Sequence, residues 1–68
     1  MTNNEIYIRI KAAGAKRPSN DIEAWQEAFK VYHANGGNTS DRLGCLSCHV
    51  KVLSWFGKLD RGEIRLAE

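Results

Sequence analysis

Four large apolar side chains recur at spacings of three and four residues in the middle of the chain, and this pattern constrains the fold more than any other feature. They are Ile22, Trp25, Phe29 and Tyr32. Such spacing places side chains on one face of an α-helix. The sequence therefore predicts a helix over residues 19–35.

Residues at both ends of this segment are typical of helix boundaries. Pro18 stops any helix before it, and Ser19 or Asn20 can cap the new one, with Glu23 at capping-box spacing from Asn20. The pair Gly36-Gly37 supplies the left-handed backbone that a helix C-terminus favours. These signals define the first half of a predicted helical hairpin.

A second helix is predicted over residues 41–56, after a short polar loop. Ser40 or Asp41 can cap it, and Gly57 is interpreted as its end. The loop is short, so the two helices are expected to be antiparallel neighbours. A helix this apolar is expected to be covered on more than one side. Its apolar positions form two adjacent stripes, Leu43, Leu46, Val50 and Leu53, and Cys45, His49, Val52 and Phe56.

The N-terminal segment supports two interpretations. Three isoleucines alternate with other residues between positions 6 and 10, as in a β-strand. However, Thr2 and Glu5 have capping-box spacing, and Gly14 is a natural helix end. As a helix, the segment would place Ile6, Tyr7, Ile10 and Ala13 on one face. We favour helix over strand, so the expected fold class is all-α, in a single domain over residues 1–68.

Composition excludes several classes of protein. The 68 residues are 43% hydrophobic and 26% charged, which is ordinary for a folded globular domain. No apolar run approaches the roughly 18 residues of a membrane span. The first residues do not resemble a secretory signal, so we expect the protein in the cytoplasm of the producing cell or in a particle assembled there.

The residues with reactive chemistry are concentrated in Cys45-Leu46-Ser47-Cys48-His49. Two cysteines at this spacing can bind one metal ion, and a structural zinc takes four sulfur or nitrogen ligands. His33 is the other histidine, at the end of the first predicted helix. Cys45, Cys48, His49 and His33 are therefore the candidate zinc ligands.

Three further interpretations of this segment remain open. A cysteine pair at a helix N-terminus can be a reactive thiol pair, although no thioredoxin-like strand–loop–helix pattern surrounds it. Cys-x-x-Cys-His is also the attachment signature of c-type haem, with His49 as proximal ligand. This interpretation conflicts with the expected cytoplasmic location and with the lack of a methionine after Met1. Finally, the cysteines can be small core residues and His49 a partly exposed helix residue.

Two surfaces are candidates for binding. Residues 1–20 carry a local charge of about +3, from Arg9, Lys11, Lys16 and Arg17 against Glu5, which suits phosphate contacts or an acidic protein surface. The second helix carries more apolar residues than so small a domain readily covers, which favours a protein interface or self-association. The interface candidates are Leu46, Val50, Leu53, Trp55 and Phe56.

Residues 25–56 resemble a group of short proteins encoded by tailed phages that infect gut Bacteroidetes. The similarity lies in an aromatic helix, Ala24-Trp25-Gln26-Glu27-Ala28-Phe29-Lys30-Val31-Tyr32, a polar loop, and Cys45-x-x-Cys48 opening an apolar helix. The resemblance implies an accessory or virion-associated protein without enzymatic activity. The sequence thus predicts a non-catalytic structural or adaptor protein. A zinc-stabilised nucleic-acid-binding module and a c-type haem electron-transfer protein are the alternatives.

Overall fold

The computed structural model describes residues 1–16 and 20–64, which form three α-helices that all contact one another. Helix α1 spans Asn3–Ala13, α2 spans Ile22–Ala34 and α3 spans Leu46–Asp60. The all-α prediction is confirmed, and the N-terminal segment is a helix rather than a strand. Ser19, proposed as a cap, and Arg17, proposed as a phosphate contact, lie outside the described residues.

The ends of α1 are formed by the residues that the sequence indicated. The Thr2 hydroxyl accepts from the Glu5 backbone N–H at 3.2 Å and donates to the Glu5 carboxylate at 3.1 Å. Gly14 adopts a φ of 75° and its N–H donates to the Ile10 carbonyl at 2.8 Å. Both ends therefore satisfy backbone groups that a short helix would otherwise leave unpaired.

Asp21, rather than Asn20, caps the start of α2. Its carboxylate accepts from the Ala24 backbone N–H at 3.2 Å. The same carboxylate accepts two hydrogen bonds from the Arg9 guanidinium of α1, at 2.7 and 2.8 Å. A serine or asparagine could not make this charged bidentate pair, so the cap residue also joins the first two helices.

The end of α2 confirms the predicted glycine signal. Gly36 adopts a φ of 87°, and the Gly37 N–H donates to the Tyr32 carbonyl at 2.8 Å. A Cβ on Gly37 would lie 2.5 Å from that carbonyl oxygen and 2.6 Å from the Tyr32 ring. The backbone therefore leaves the helix in close contact with Tyr32, where only glycine fits.

Helix α3 begins five residues later than predicted. The predicted start at residue 41 is wrong because Asp41 is buried and its side chain bonds to Tyr32 instead of capping a helix. Residues 41–45 continue the loop, and Cys45 is the N-cap of α3, without a capping bond from its side chain.

Gly57 does not end α3, as the sequence analysis expected. The helix continues to Asp60, and Gly57 is buried within it. A Cβ at this position would lie 3.5 Å from the Tyr7 hydroxyl of α1. This is an ordinary contact distance, so Gly57 is a buried position of α3 that faces α1 and does not act as a helix terminator.

The core combines one face of each helix. Ile6 and Ile10 of α1 are fully buried, as the predicted helical face requires. Helix α3 contributes its second predicted stripe, while Leu46 and Val50 of the first stripe are exposed. Among the described residues, the buried cluster consists of Ile6, Ile10, Ala24, Trp25, Ala28, Phe29, Tyr32, Cys48, Val52 and Phe56.

The close approach at Gly37 gives a test of this packing. We expect Gly37→Ala to lower the free energy of unfolding by about 1–3 kcal/mol, because the added methyl group must displace Tyr32. Gly44→Ala is the matched control, since a Cβ at Gly44 meets nothing within 4 Å. That variant should change stability by less than about 0.5 kcal/mol. Urea unfolding followed by circular dichroism measures the stability of both variants. If Gly37→Ala were as stable as Gly44→Ala, the close contact between Gly37 and Tyr32 would be contradicted.

Candidate functional site

The loop between α2 and α3 is anchored by the buried side chain of Asp41, which is 3% exposed. The Tyr32 hydroxyl donates to one carboxylate oxygen at 2.7 Å, and Lys51 Nζ lies 3.4 Å from the other. The hydrogen bond from Tyr32 is the largest effect that lowers the pKa of Asp41, and the nearby Cys48 thiol lowers it further. Burial and then the hydrogen bond to Asp41 raise the pKa of Tyr32.

Both histidines bind backbone carbonyls of the same loop. His33 Nε2 lies 2.9 Å from the Asp41 carbonyl oxygen, and His49 Nε2 bonds to the Leu43 carbonyl oxygen. A carbonyl oxygen only accepts, so both histidines donate from Nε2. These two ring nitrogens are therefore engaged in holding residues 41–43 against α2 and α3.

His49 is a core residue and not the partly exposed helix residue of one interpretation. It is 2% exposed, and its ring stacks on the Trp25 indole with centroids 4.3 Å apart and planes 21° from parallel. Within residues 1–16 and 20–64, neither its buried Nδ1 nor the buried Trp25 Nε1 has a hydrogen-bond partner. The ring would have to leave this stack before it could bind the iron of a haem.

The structure brings the two cysteines together at the start of α3. The Cys45 and Cys48 thiols lie close enough to interact, and Cys45 Sγ lies 3.2 Å from Ser47 Oγ. Cys45 is partly exposed, whereas Cys48 is 6% exposed. The Cys48 bond and then the Ser47 bond lower the pKa of Cys45 to about 7. The Cys45 bond and then burial raise the pKa of Cys48.

The four candidate zinc ligands do not form one cluster. Cys45 and Cys48 meet, but His33 and His49 face carbonyl groups of the loop. Within residues 1–16 and 20–64 there is no group of three or more His, Cys, Asp or Glu side chains arranged to hold a metal ion. Zinc binding therefore stays a prediction, and it would require at least one histidine to exchange its carbonyl for the metal.

The N-terminal basic residues are only partly available for phosphate contacts. Arg9 is paired with Asp21 and lies 3.2 Å from Glu23, so its charge is largely neutralised. Lys11 lies over the Tyr7 ring, 5.3 Å from its centroid. Of the predicted set, Lys16 is exposed, and Arg17 is not among the described residues.

The predicted interface residues divide between surface and core. Leu46 and Val50 are 44% and 56% exposed, and Trp55 is half-buried, whereas Phe56 is 1% exposed and belongs to the core. Leu53 packs partly against the core. A shallow cavity beside Trp55, the α3 groove, is lined by Tyr32, Val50, Lys51, Ser54, Trp55, Lys58 and Ile64.

Sequence reasoning missed two contributors to these sites. Asp41 was interpreted as a helix cap, and Lys51 was not singled out although it lies beside both Asp41 and the α3 groove. Lys51 follows Asp41 by ten residues, and no helical or strand periodicity predicts a contact at that separation. Only the three-dimensional path of the loop brings them together.

Comparison with protein-family models, curated proteins and solved structures finds no match to this chain. Arguments about its function therefore rest on its own residues. Among the helices in the described parts of the chain, none is long and apolar enough to cross a membrane.

The cysteine pair has a measurable consequence. The thiolate is the reactive form, so alkylation of Cys45 by iodoacetamide should rise as the pH increases through about 7 and level off above it. Cys48→Ala removes the hydrogen bond that contributes most to this shift and should move the midpoint to higher pH. Mass spectrometry after timed alkylation measures both midpoints. A Cys45 midpoint above 8.5, unchanged in Cys48→Ala, would contradict the described contact.

Proposed function

We propose that the protein is a non-catalytic adaptor that docks on a larger protein assembly. Its α3 groove binds a segment of that assembly that carries both acidic and apolar side chains. The observation that carries this proposal is the half-buried Trp55 indole, which lies in a groove lined by both apolar and basic residues. Large aromatic side chains with one accessible face dominate the binding energy of many protein interfaces.

The position of Trp55 is set by its neighbours. Its ring meets Tyr32 edge-on at 5.5 Å between centroids and Phe56 edge-on at 5.0 Å. Tyr32 is itself held by Asp41. The indole is thus fixed before any partner arrives, which reduces the conformational entropy lost on binding. Phe56, predicted as an interface residue, is buried and packs against the inner side of Trp55.

Charge indicates the chemistry of the partner. Lys51 and Lys58 line the groove, and none of its lining residues in the described part of the chain is acidic. Lys51 is partly neutralised by Asp41, whereas Lys58 forms no ion pair within the described residues. Carboxylates on the bound segment would complement these ammonium groups, while Val50, Trp55 and Ile64 would cover its apolar side chains.

The resemblance to short phage proteins suggests where such a partner would be found. We propose a protein of the phage particle, or of the complexes that assemble it in the infected cell. The predicted cytoplasmic and virion locations are parts of the same hypothesis. A gene position among capsid or tail genes would support it, since proteins of one assembly are commonly encoded together.

The two tryptophans provide an internal control for a binding experiment. We expect a peptide of Glu, Asp, Leu and Phe to shift the Trp55 indole N–H signal in a ¹⁵N NMR titration and to leave the signal of Trp25, buried at 0% exposure, unchanged. A peptide with Lys in place of Glu and Asp should bind at least about tenfold more weakly.

Matched variants locate the binding surface. Val50→Glu adds a negative charge to the groove and should weaken binding of the acidic peptide at least about tenfold. Ile8→Glu is the control, because Ile8 is 57% exposed, like Val50 at 56%, but lies on α1 outside the groove. Equal binding of both peptides, or dimerisation of the free protein through Trp55, would contradict the proposal.

Binding of a DNA or RNA oligonucleotide at Lys11 and Lys16 would favour the nucleic-acid alternative instead.

A further inference from the structure

The cysteine pair lies outside the α3 groove, so its arrangement is not explained by docking. Neither cysteine forms a disulfide in this structure, and the two thiols lie close enough to interact. Simple core packing would account for the buried Cys48. It would not account for a second, partly exposed thiol beside it at the start of the same helix.

We propose that Cys45 and Cys48 form a thiol–disulfide exchange site that accepts low-molecular-weight disulfides and closes to a reversible intramolecular disulfide. The proposal is independent of the docking function. It rests on the position of both thiols at the start of α3, on their unequal exposure, and on the backbone conformation of Cys45.

The backbone conformation decides whether the two sulfur atoms can be joined. Within a regular helix, Cβ atoms three residues apart are about 5–6 Å from each other, whereas a disulfide needs roughly 3.5–4.5 Å. Cys45 is outside the helix, with φ and ψ of −101° and 118°. The Cβ spacing of a regular helix therefore does not apply to Cys45, although its N–H donates to the Arg42 carbonyl at 3.0 Å and its carbonyl accepts from the Cys48 and His49 N–H groups. Rotation about the side-chain bonds of Cys45 can bring its Sγ towards Cys48.

Unequal exposure fixes the order of events. Cys45 is reachable from solvent, and Cys48 is 6% exposed beneath it. The Cys45 thiolate attacks one sulfur of glutathione disulfide, and the S–S bond of that molecule breaks. One glutathione leaves as a thiolate and takes up a proton, and the other remains attached to Cys45.

The buried thiol completes the exchange. Cys48 Sγ attacks Cys45 Sγ, the mixed disulfide breaks, and the second glutathione leaves with the proton that Cys48 loses. Two electrons pass from the protein dithiol to glutathione disulfide, which yields one intramolecular disulfide and two glutathione molecules. An excess of a small dithiol such as dithiothreitol reduces the protein disulfide again by the same kind of exchange.

Polar groups lie beside both thiols at the N-terminal end of the 15-residue helix α3. Ser47 Oγ lies 3.2 Å from Cys45 Sγ, and the Asp41 carboxylate is near the Cys48 thiol.

The experiment uses the full reduced chain incubated with glutathione disulfide, followed by an acid quench, alkylation and intact mass measurement. The wild-type protein should lose two hydrogen atoms and accept no alkyl group, and dithiothreitol should restore it. Cys48→Ser should instead accumulate one glutathione adduct on Cys45. Cys45→Ser should form an adduct at least about tenfold more slowly, because its remaining thiol is buried.

Two results would overturn the proposal. One is a wild-type protein that carries two glutathione adducts or keeps a single one without closing. The other is a Cys45→Ser variant that reacts as fast as Cys48→Ser. Circular dichroism of each variant establishes that it is folded. If Cys48→Ser fails to fold, the order of labelling of the two cysteines in the wild-type protein, read by peptide mapping, decides the same question.

Discussion

The buried carboxylate of Asp41 is the interaction on which the arrangement of the chain depends. A charge removed from water is tolerated only where partners replace its hydration. Asp41 has these partners in Tyr32 of α2 and in Lys51 and Cys48 of α3. One side chain of the connecting loop is thus bonded to both helices that the loop joins.

The loop is held at its backbone as well as at this side chain. His33 from α2 and His49 from α3 each donate to a carbonyl group within residues 41–43. A domain of this size has a small core, and such contacts add to the packing of Trp25 and Phe56. The two histidines that the sequence analysis predicted as zinc ligands therefore hold an irregular loop against the helices. The same attachments place Cys45 beside Cys48 and fix Tyr32 beneath Trp55.

Local signals in the sequence were sufficient to predict much of the fold. The capping box at Thr2, the aromatic stripe of α2 and the glycine at position 36 all act within a few residues of the chain, and each was confirmed. Asp41 was misinterpreted because a helix cap and a buried anchor use the same residue type. Gly57 was misinterpreted because glycine occurs both at helix ends and at buried positions within helices. The difference between them depends on residues of other helices.

The candidate sites were predictable only in part. Spacing alone indicated that Cys45 and Cys48 would meet, because residues three apart at a helix start are neighbours. Spacing did not indicate that His49, adjacent to Cys48, would turn inwards to stack on Trp25. Adjacent helical positions differ by about 100°, and which of them faces the core is decided by the other helices. For the same reason the sequence placed Phe56 and Trp55 together on the surface, whereas only Trp55 is accessible.

A double-mutant cycle on Tyr32 and Asp41 tests most directly whether this buried bond organises the molecule. The free energy of unfolding is measured by urea titration at pH 7 for the wild-type protein, Tyr32→Phe, Asp41→Asn and the double variant. The account predicts that each single variant is destabilised and that the double variant loses clearly less than the sum of the two, because both changes remove the same bond. Strictly additive losses, or single variants as stable as the wild-type protein, would contradict it.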